Sequence, residues 1–313
     1  MADVKDLRIA SLLPSATEIV VALGLGEQLV GRSHECDYPE WVQRLPPCTS
    51  TKLEKGLASR QIDDRVGEIV RQGLSVYEVD AGLLRSLRPD LILTQSQCAV
   101  CAVTPADLEQ ALSAWLGAPP KLLSLAPDTL DDVWADIASV GSASGVEERG
   151  LELVRNLQAR LHALPRGDER QRVLAIEWLD PLMIGGNWIP ELIELAGGMP
   201  LLASPGQHSD YIEWADAAAQ DPDAIIVMPC GYRVEQSLAE MRALTERPGW
   251  GELTAVCEGR VFVADGQYFF NRPGPRLVES AEMVAEMLRA PLDVGRSEGG
   301  YWVRFTPELA RAC

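Results

Sequence analysis

The chain has 313 residues, of which 47% are hydrophobic and 24% charged, a balance typical of a folded protein with a sizeable core. With 28 Lys and Arg against 46 Asp and Glu, its formal net charge is -18, which argues against nucleic acid or an anionic membrane as a partner. The start MADVKDLRIASLLPSATEI lacks the basic and apolar regions of a signal peptide, and we find no apolar run of membrane-helix length. We therefore expect a cytoplasmic protein without membrane insertion, or a periplasmic one if a leader was removed.

The first part of the chain alternates between strand-like and helix-like segments. LRIASLLP is typical of a buried strand, and Ser15 followed by Glu18 predicts a capping box at the start of the helix TEIVVALGLG. EQLVGRS, PDLILTQ and PKLLSLAP predict further strands, whereas AGLLRSLR and TPADLEQALSAWLG predict helices. The polar stretch 49–79 contains the helix-like SRQIDDRVGEIVRQG and looks like an elaboration of this first part, with no function indicated by its sequence.

A long helical pattern then leads into a second α/β part. Residues 130–164 follow a helical period interrupted mainly at Gly141 and Gly145, so one bent helix and two helices are both compatible with it. RVLAIEWLD, DAIIVMP and GRVFVAD predict strands, PELIELAGG a helix, and the last helix is expected from about Pro275 to Arg289. The expected domains are an amino-terminal α/β lobe (1–129), a linking helix (130–165) and a carboxyl-terminal α/β lobe with a tail (166–313).

Four segments carry a resemblance to a known family: RIASLLPSATEIVVALGLGEQLVGRSHECDYP, LRPDLILTQ, MIGGNWIPELIELAGG and DPDAIIVMP. Together they resemble the helical-backbone class of substrate-binding proteins, and within it the vitamin B12-binding proteins of ABC importers. The resemblance implies two Rossmann-like lobes with mainly parallel central sheets, joined by a long backbone helix, with the ligand in the cleft between the lobes. Such proteins bind iron-siderophores, heme, cobalamin or bare metal ions and are not enzymes.

The same resemblance marks two positions for docking on a permease. In the B12-binding proteins a glutamate on each lobe meets arginines of the permease, and alignment on RPDLIL and DPDAIIV puts these positions at Gly82 and Ala215. Neither residue can form a salt bridge, although Asp80 and Glu213 are close in sequence. A tryptophan that the family offers to the corrin ring has no clear match. The resemblance therefore supports the fold more strongly than docking on an ABC permease.

Four of the seven cysteines follow strand-like runs, in HECDYP, QSQCAVCAV and MPCGY. Ligands of open α/β sheets bind beyond the carboxyl ends of the strands, so Cys36, Cys98, Cys101 and Cys230 are candidate ligands of one metal or Fe–S centre. Cys98 and Cys101 precede a predicted helix, whose dipole favours the thiolate that binds metal. Simple burial at a strand end explains this pair equally well. Cys230 completes the set only if the lobes close.

Further side chains near the predicted strand ends are candidates for contacting a ligand. Flat aromatic rings suit a macrocycle, and the arginine of FFNRPGPR suits a carboxylate or a corrin amide. Each group also has an alternative role. The aromatic rings would instead pack within the lobes, and the arginine would pair with an acidic side chain. The acids after Ser33 would accept local backbone N–H groups in a turn. The candidates are Ser15, Glu35, Tyr38, Gln95, Trp178, Asn187, Trp188, Tyr232, Tyr268, Phe269, Asn271 and Arg272.

Three functions are compatible with these observations. The first is a non-catalytic binding protein for a cobalamin-like, metal-chelate or metal ligand. The second is a cytoplasmic enzyme that acts on a tetrapyrrole through a metal or Fe–S centre at the four cysteines. The third is an ABC importer component that lacks its leader. Because the sequence has no Ser-His-Asp pattern, P-loop or GxGxxG, we favour binding over catalysis. Cobalamin and a thiolate-bound metal or Fe–S centre are the candidate bound groups.

Overall fold

The computed structural model describes residues 4–54, 56–72, 75–96, 108, 119–165, 169–291, 294–297 and 300–306. The chain divides into two compact units. Unit 1 consists of Met1–Leu57, Asp64–Pro127 and Asp131–Gln158, and unit 2 of Ala58–Asp63, Asp128–Leu130 and Ala159–Cys313. The domain boundaries expected from the sequence stay a prediction. None of the helices in the described part of the chain has the length and apolarity that crossing a bilayer requires.

Helices and strands alternate along both units. The described helices are α1 (Pro14–Ala22), α2 (Ser59–Arg71), α3 (Ala81–Leu87), α4 (Leu130–Ala143), α5 (Glu147–His162), α6 (Ile189–Leu195), α7 (Trp214–Ala219), α8 (Val234–Glu240), α9 (Arg242–Thr245), α10 (Thr254–Cys257) and α11 (Leu277–Arg289). The described strands are β1 (Ile9–Ser11), β2 (Leu29–Arg32), β3 (Thr49–Thr51), β4 (Tyr77–Val79), β5 (Leu91–Gln95), β6 (Lys121–Leu125), β7 (Gln171–Trp178), β8 (Met183–Ile184), β9 (Gly198–Pro200), β10 (Ala224–Val227), β11 (Val261–Ala264) and β12 (Trp302–Arg304). Short 3-10 helices cover Val4–Asp6, Gly26–Gln28, Glu40–Arg44 and Trp250–Glu252.

Unit 1 is built on a four-stranded sheet in the order β2-β1-β5-β6, with every neighbouring pair parallel. Parallel strands covered on both faces read as continuous apolar runs, and the three residues of β1 are accordingly all buried. The stretch 49–79 adds the antiparallel pair β3-β4 and the helix α2. Its residues Ile69, Val76 and Tyr77 join the same core cluster as Ala10 of β1. Residues 49–57 and 64–79 of this stretch belong to unit 1, whereas Ala58–Asp63, which include the start of α2, belong to unit 2. The sequence interpretation of the whole stretch as an elaboration of the first part therefore holds only for the residues in unit 1.

The start of α1 differs from the prediction. The helix begins at Pro14 with Leu13 as its N-cap, and no side chain caps it. Proline lacks an N–H and has a helical φ, so it is favoured at the first helical position. Because the helix begins at Pro14, Ser15 and Glu18 lie inside it, where both are buried. The predicted Ser15–Glu18 capping box is therefore wrong.

Residues 130–164 form two helices, α4 and α5. The break lies at Gly145, whose φ of 75° is in the left-handed region that glycine adopts without a side-chain clash. A Cβ atom on Gly141 of α4 would lie 3.1 Å from the Cα atom of Gly150 in α5. The two helices therefore approach each other closely at a pair of glycines, which identifies two helices as the correct alternative.

Unit 2 is built on a six-stranded sheet in the order β12-β11-β10-β7-β8, with β9 paired to the start of β7. The pairs β7-β10, β10-β11 and β7-β9 are parallel, whereas β8 and β12 run antiparallel to their neighbours. The two sheets confirm the predicted α/β fold with mainly parallel strands. Because β7, β10 and β11 are parallel neighbours, their carboxyl ends meet at one edge of this sheet.

Candidate functional site

The carboxyl ends of three parallel strands in unit 2 form what we call the unit 2 edge. It consists of residues 177–178 at the end of β7, 228–233 after β10 and 265–272 after β11. Backbone hydrogen bonds connect these segments. Met228 N–H donates to Ile176 O at 2.9 Å, and Gln267 N–H donates to Tyr232 O at 3.0 Å. In open α/β sheets this side of the sheet carries the ligand site. The unit 2 edge is therefore the candidate ligand site of unit 2.

An aromatic pair lies at this edge. The ring centroids of Trp178 and Tyr232 are 5.4 Å apart, at an interplanar angle of 60°. The Tyr232 hydroxyl donates to Glu240 Oε1 at 3.2 Å, and burial, with the neighbouring carboxylate, raises the pKa of this phenol. The indole Nε1 of Trp178 is buried and has no hydrogen-bond partner among the described residues. An unpaired buried N–H is costly and suits a site that a ligand acceptor completes.

Three arginines surround the half-exposed Tyr268, and we call them the arginine cluster: Arg233, Arg272 and Arg276. Their guanidinium carbons lie 4.3, 5.4 and 5.5 Å from the centre of the Tyr268 ring. Arg233 also donates to the Tyr268 hydroxyl and to Gln267 Oε1. Arg233 is exposed and Arg272 is buried, so the cluster extends from the surface into the edge.

Asp265 and Asn271 hold the backbone of this edge in place. The Asp265 carboxylate accepts N–H groups of Gln267 at 3.0 Å and Tyr268 at 2.8 Å. Burial raises the pKa of Asp265, an effect that these N–H groups and the nearby arginines reduce. The Asn271 amide donates to Met228 O and to Gly266 O, each at 3.1 Å. Asn271 therefore fastens the segment after β10 to the segment after β11.

Glu177, the residue before Trp178, occupies a hydrogen-bonded position of its own. Ser209 Oγ donates to Glu177 Oε2 at 2.8 Å, and Gly186 N–H in turn donates to Ser209 Oγ at 2.9 Å. Burial raises the pKa of Glu177 to about 7, although the Ser209 hydroxyl, His208 and the Gly186 N–H all favour the carboxylate. This carboxyl group therefore titrates close to neutral pH.

Three of the predicted ligand contacts are packed into the structure. Trp188 is buried and donates its Nε1–H to Phe270 O at 2.6 Å. Phe269 is buried and meets Tyr301 edge-on, with ring centroids 4.9 Å apart. Asn187 has a φ of 50°, and its side-chain Oδ1 is buried without a hydrogen-bond partner among the described residues. Contact of these residues with a ligand stays a prediction.

The candidates of unit 1 differ among themselves in exposure. Ser15 and Gln95 are buried. Glu35 accepts the Tyr77 hydroxyl at 3.3 Å, while its Oε1 lies 4.0 Å from Nε2 of His34. Tyr38 exposes 43% of its surface. Among these four residues of unit 1, Tyr38 is therefore the exposed one, and Glu35 lies in a local network with Tyr77.

The structure describes two of the four candidate metal-binding cysteines. Cys36 is buried in unit 1, where its Sγ lies 3.0 Å from Thr17 Oγ1, and Cys230 is exposed in unit 2. Cys98 and Cys101 lie outside the described residues. The described residues contain no group of three or more His, Cys, Asp or Glu side chains arranged to hold a metal ion. The shared thiol site stays a prediction, as does the enzyme hypothesis that depends on it.

The sequence pattern and the fold agree with one protein family. The model of the family described as "Periplasmic binding protein" matches residues 9–268 of the chain. The chain belongs to this family.

Individual relatives share the family fold over nearly the whole chain. YvrC of Bacillus subtilis, an uncharacterized ABC transporter substrate-binding lipoprotein, is 26% identical over 290 residues, covering 90% of this chain and 79% of YvrC. A vitamin B12-binding protein of Vibrio cholerae is 24% identical over 299 residues, covering 90% of this chain and 89% of the relative. The periplasmic heme-binding protein RhuT from Roseiflexus, in apo form, matches with a TM-score of 0.66 at 24% identity, covering 90% and 97% of the two chains.

These relatives are relevant to the cellular location of the protein and to its docking on an ABC permease. Because they are periplasmic or lipoprotein components, the cytoplasmic location expected from the sequence has no support among them. At the docking positions that the resemblance marks, Gly82 and Ala215 are both exposed. Each lies in the first turn of a helix whose N-cap is an acid, Asp80 for α3 and Glu213 for α7. This periplasmic binding protein thus carries an exposed acid two residues before each marked position.

Sequence reasoning missed three residues of the unit 2 edge. Arg233 and Arg276 join Arg272 around Tyr268, and Glu177 forms the hydrogen-bonded acid. Arg276 had a signal, since it follows Arg272 by four residues in the same proline-rich turn. For Arg233 the only signal was its position after a strand, and for Glu177 it was its position at the end of a strand. Ligand-binding residues of open α/β sheets cluster at these strand ends.

Proposed function

We propose that this periplasmic binding protein is a non-catalytic binding protein for a metal-chelating tetrapyrrole of the cobalamin or heme type. The observation that carries the proposal is the aromatic pair of Trp178 and Tyr232 at the unit 2 edge, with the buried, unpaired indole N–H. The names of two relatives support it, since one is a vitamin B12-binding protein and the other a heme-binding protein.

The physical argument starts from the shape of such a ligand. A tetrapyrrole is a wide, flat and mostly apolar disc whose polar groups lie at its rim. Aromatic side chains cover such a face with large contact area and lose few rotamers on binding. Trp178 is only partly buried, so its ring has surface left for contact. The Trp178 N–H can then donate to an acceptor at the ligand rim.

We further propose that the protein delivers its ligand to an ABC permease. The support is the family itself and the relationship to YvrC, an ABC transporter substrate-binding lipoprotein. Gly82 and Ala215 offer no charge at the docking positions, so Asp80 and Glu213 are the acids that we expect to face the permease. Asp80 already accepts the Leu83 N–H at 2.8 Å through Oδ1, which leaves its other carboxylate oxygen available to a guanidinium.

The binding proposal is tested by titrating the full-length protein separately with cyanocobalamin and with heme, following absorbance and tryptophan fluorescence. We expect saturable binding of at least one of them without any conversion of the ligand. Trp178→Ala should weaken binding at least about tenfold, because it removes the ring face. Trp178→Phe is the matched control that keeps a ring and removes the N–H, and it should cost about threefold to fivefold.

Two outcomes would contradict the proposal. If neither tetrapyrrole binds to protein that unfolds cooperatively, the ligand belongs to another class. If Trp178→Ala binds as tightly as the unaltered chain, the aromatic pair does not form the binding surface, even though the protein binds a tetrapyrrole.

A further inference from the structure

The first turn of α2 belongs to unit 2, and we call its residues 58–63 the strap. Its first contact is with Glu240 at the end of α8. The Ser59 N–H donates to both carboxylate oxygens of Glu240, each at 3.0 Å. Ala58, the residue before the helix, has no side-chain acceptor with which to cap it. A carboxylate 181 residues away in sequence therefore caps the helix and meets the positive end of its dipole.

The same carboxylate accepts a hydrogen bond from the aromatic pair. The Tyr232 hydroxyl donates to Glu240 Oε1 at 3.2 Å, and the Tyr232 ring lies against Trp178. Burial, with the negative charge of Glu240, raises the pKa of Tyr232, so its hydroxyl stays protonated as a donor. Because donors occupy both oxygens of Glu240, its carboxylate is held in one orientation. A change at Ser59 therefore reaches Tyr232 through a single side chain.

Two further contacts of the strap lie close to Trp178. Arg60 donates to both oxygens of Asp180, two residues beyond Trp178, and its Nε lies 3.2 Å from Oδ2. The Tyr211 hydroxyl donates to Asp63 Oδ1 at 2.5 Å. Tyr211 also forms a β-bridge with the residue of β8 that pairs with Trp178. The strap is therefore connected to the surroundings of both members of the aromatic pair.

The contacts of the strap are close to solvent. The side chains of Arg60 and Asp180 are 52% and 33% exposed, and Tyr211 is 57% exposed. Ion pairs and hydrogen bonds with such exposure add little to stability. Only a small free-energy difference then separates the attached strap from a detached one, and a ligand that requires Tyr232 in its place can shift this balance.

We infer that Glu240 is a positioning residue for the ligand, and that the strap, attached to Glu240, holds Tyr232 in the orientation that binds. The inference rests on the proposed function and goes beyond it, because ligand binding and attachment of the strap must then stabilise each other. By linkage, the factor by which the attached strap tightens ligand binding equals the factor by which the ligand tightens the strap.

The affinities of variants for cyanocobalamin and for heme, titrated into the full chain, test the positioning role. Arg60→Ala loosens the strap and leaves the aromatic pair unaltered, so it should weaken binding about threefold to fivefold. Arg65→Ala is the matched control, because it removes the same charge and an ion pair that lies within α2. It should leave the affinity unchanged. Glu240→Ala removes the acceptor of the buried Tyr232 hydroxyl and should weaken binding at least about tenfold.

Two further measurements distinguish positioning from a general loss of stability. A Tyr232→Phe chain has no hydroxyl to orient, so Glu240→Ala should weaken its binding less than about twofold. In the unaltered chain, saturating ligand should slow hydrogen exchange of the strap N–H groups at least about threefold. Exchange in α10 should not change, because its Ala255 N–H donates to Pro222 O, at the opposite end of β10 from the aromatic pair.

The outcomes separate the inference from the proposed function. Equal affinities of Arg60→Ala and Arg65→Ala, or strap exchange that the ligand leaves unchanged, would overturn the inference while ligand binding stands. An effect of Glu240→Ala that is equally large in the Tyr232→Phe chain would also overturn it, since Glu240 would then act on binding by another route. If neither cyanocobalamin nor heme binds to the unaltered chain, the proposed function fails and the inference fails with it.

Discussion

The hydroxyl of Ser209 donates a 2.8 Å hydrogen bond to the Oε2 atom of Glu177, so a loop residue holds the acid that precedes Trp178 at the end of β7. Gly186 N–H donates to the same hydroxyl and completes a short chain of hydrogen bonds. Since burial raises the pKa of Glu177 to about 7, this acid changes charge near neutral pH, one residue from the proposed ligand face.

The first prediction concerns Glu177 and pH. The pKa of this carboxyl group is raised above its ordinary value of 4.5 to about 7, so between these pH values the folded chain holds a proton that the unfolded chain releases. The stability that this bound proton gives the folded chain is therefore lost as pH rises from about 4.5 to 7. Because Glu177→Gln cannot titrate, its free energy of unfolding should rise by up to about 2 to 3 kcal/mol relative to that of the unaltered chain between pH 4.5 and 8.

Urea unfolding at pH 4.5 and pH 8 measures this difference. The control is Glu252→Gln, at an exposed acid of the same unit, whose difference from the unaltered chain should not change between the two pH values. Parallel pH profiles for Glu177→Gln and the unaltered chain would show that Glu177 has an ordinary pKa in the folded protein.

The second prediction concerns Asp136 on α4 of unit 1. Burial, with the nearby Asp132, raises the pKa of Asp136 to about 7, although the Ala126 N–H favours the carboxylate. Its Oδ2 is buried and has no hydrogen-bond partner among the described residues. Above pH 7 the folded chain therefore carries a poorly compensated charge, and Asp136→Asn should raise the free energy of unfolding at pH 8 by about 1 to 2 kcal/mol.

The comparison for Asp136→Asn is Asp131→Asn, an exposed acid on the same helix. Asp136→Asn should lose its advantage at pH 4.5, where the unaltered side chain is already neutral in the folded state. A gain of the same size at both pH values, or an equal gain from Asp131→Asn, would mean that general charge repulsion and not burial of Asp136 is responsible.

The strands that form the two sheet centres could be predicted because parallel strands covered on both faces need continuous apolar runs. Segments such as LILTQ and AIIV meet this need, and the structure confirms them as β5 and β10. The strands β3, β8, β9 and β12 have two or three residues each, which is too short for any apolar period to show. Their pairing is decided by neighbours distant in sequence.

The candidate site was predictable in part for a similar reason. Tyr268 and Arg272 stand in a conspicuous aromatic and proline-rich turn, so the sequence alone singles them out. That Arg233 stacks on the same ring follows only from the pairing of β10 with β11, which brings two turns 35 residues apart into contact. Glu177 lies inside an apolar strand run, where the sequence pattern gives no sign that its carboxylate meets Ser209.

The third prediction concerns two thiols. Burial raises the pKa of Cys48 to about 11, and the residue is fully buried, whereas Cys257 is exposed. At pH 8 only about one in a thousand Cys48 groups is then a thiolate, and the buried sulfur is shielded as well. Iodoacetamide should therefore label Cys257 within minutes and leave Cys48 unlabelled in the native chain, as read by mass spectrometry of the two peptides.

Labelling in urea provides the control, because both thiols should then react at similar rates. If native Cys48 reacts as fast as Cys257, the core around β1 and Cys48 opens far more readily than its burial implies.

The fourth prediction concerns Gly266, which begins the turn after β11 at the unit 2 edge. A Cβ atom at this position would lie 2.1 Å from Pro229 O and 2.7 Å from Met228 O, and both contacts are with backbone that no side-chain rotation can relieve. Gly266→Ala must therefore push apart the segments after β10 and β11 that Asn271 fastens together. We expect it to lower the free energy of unfolding by about 2 to 3 kcal/mol and to weaken ligand binding as well.

Gly251→Ala is the matched control, since a Cβ atom there meets nothing within 4 Å, and its free energy of unfolding should stay within about 1 kcal/mol of that of the unaltered chain. Urea unfolding of the two variants measures the difference, and equal stabilities would mean that the edge yields to a methyl group and is less tightly built than these contacts require.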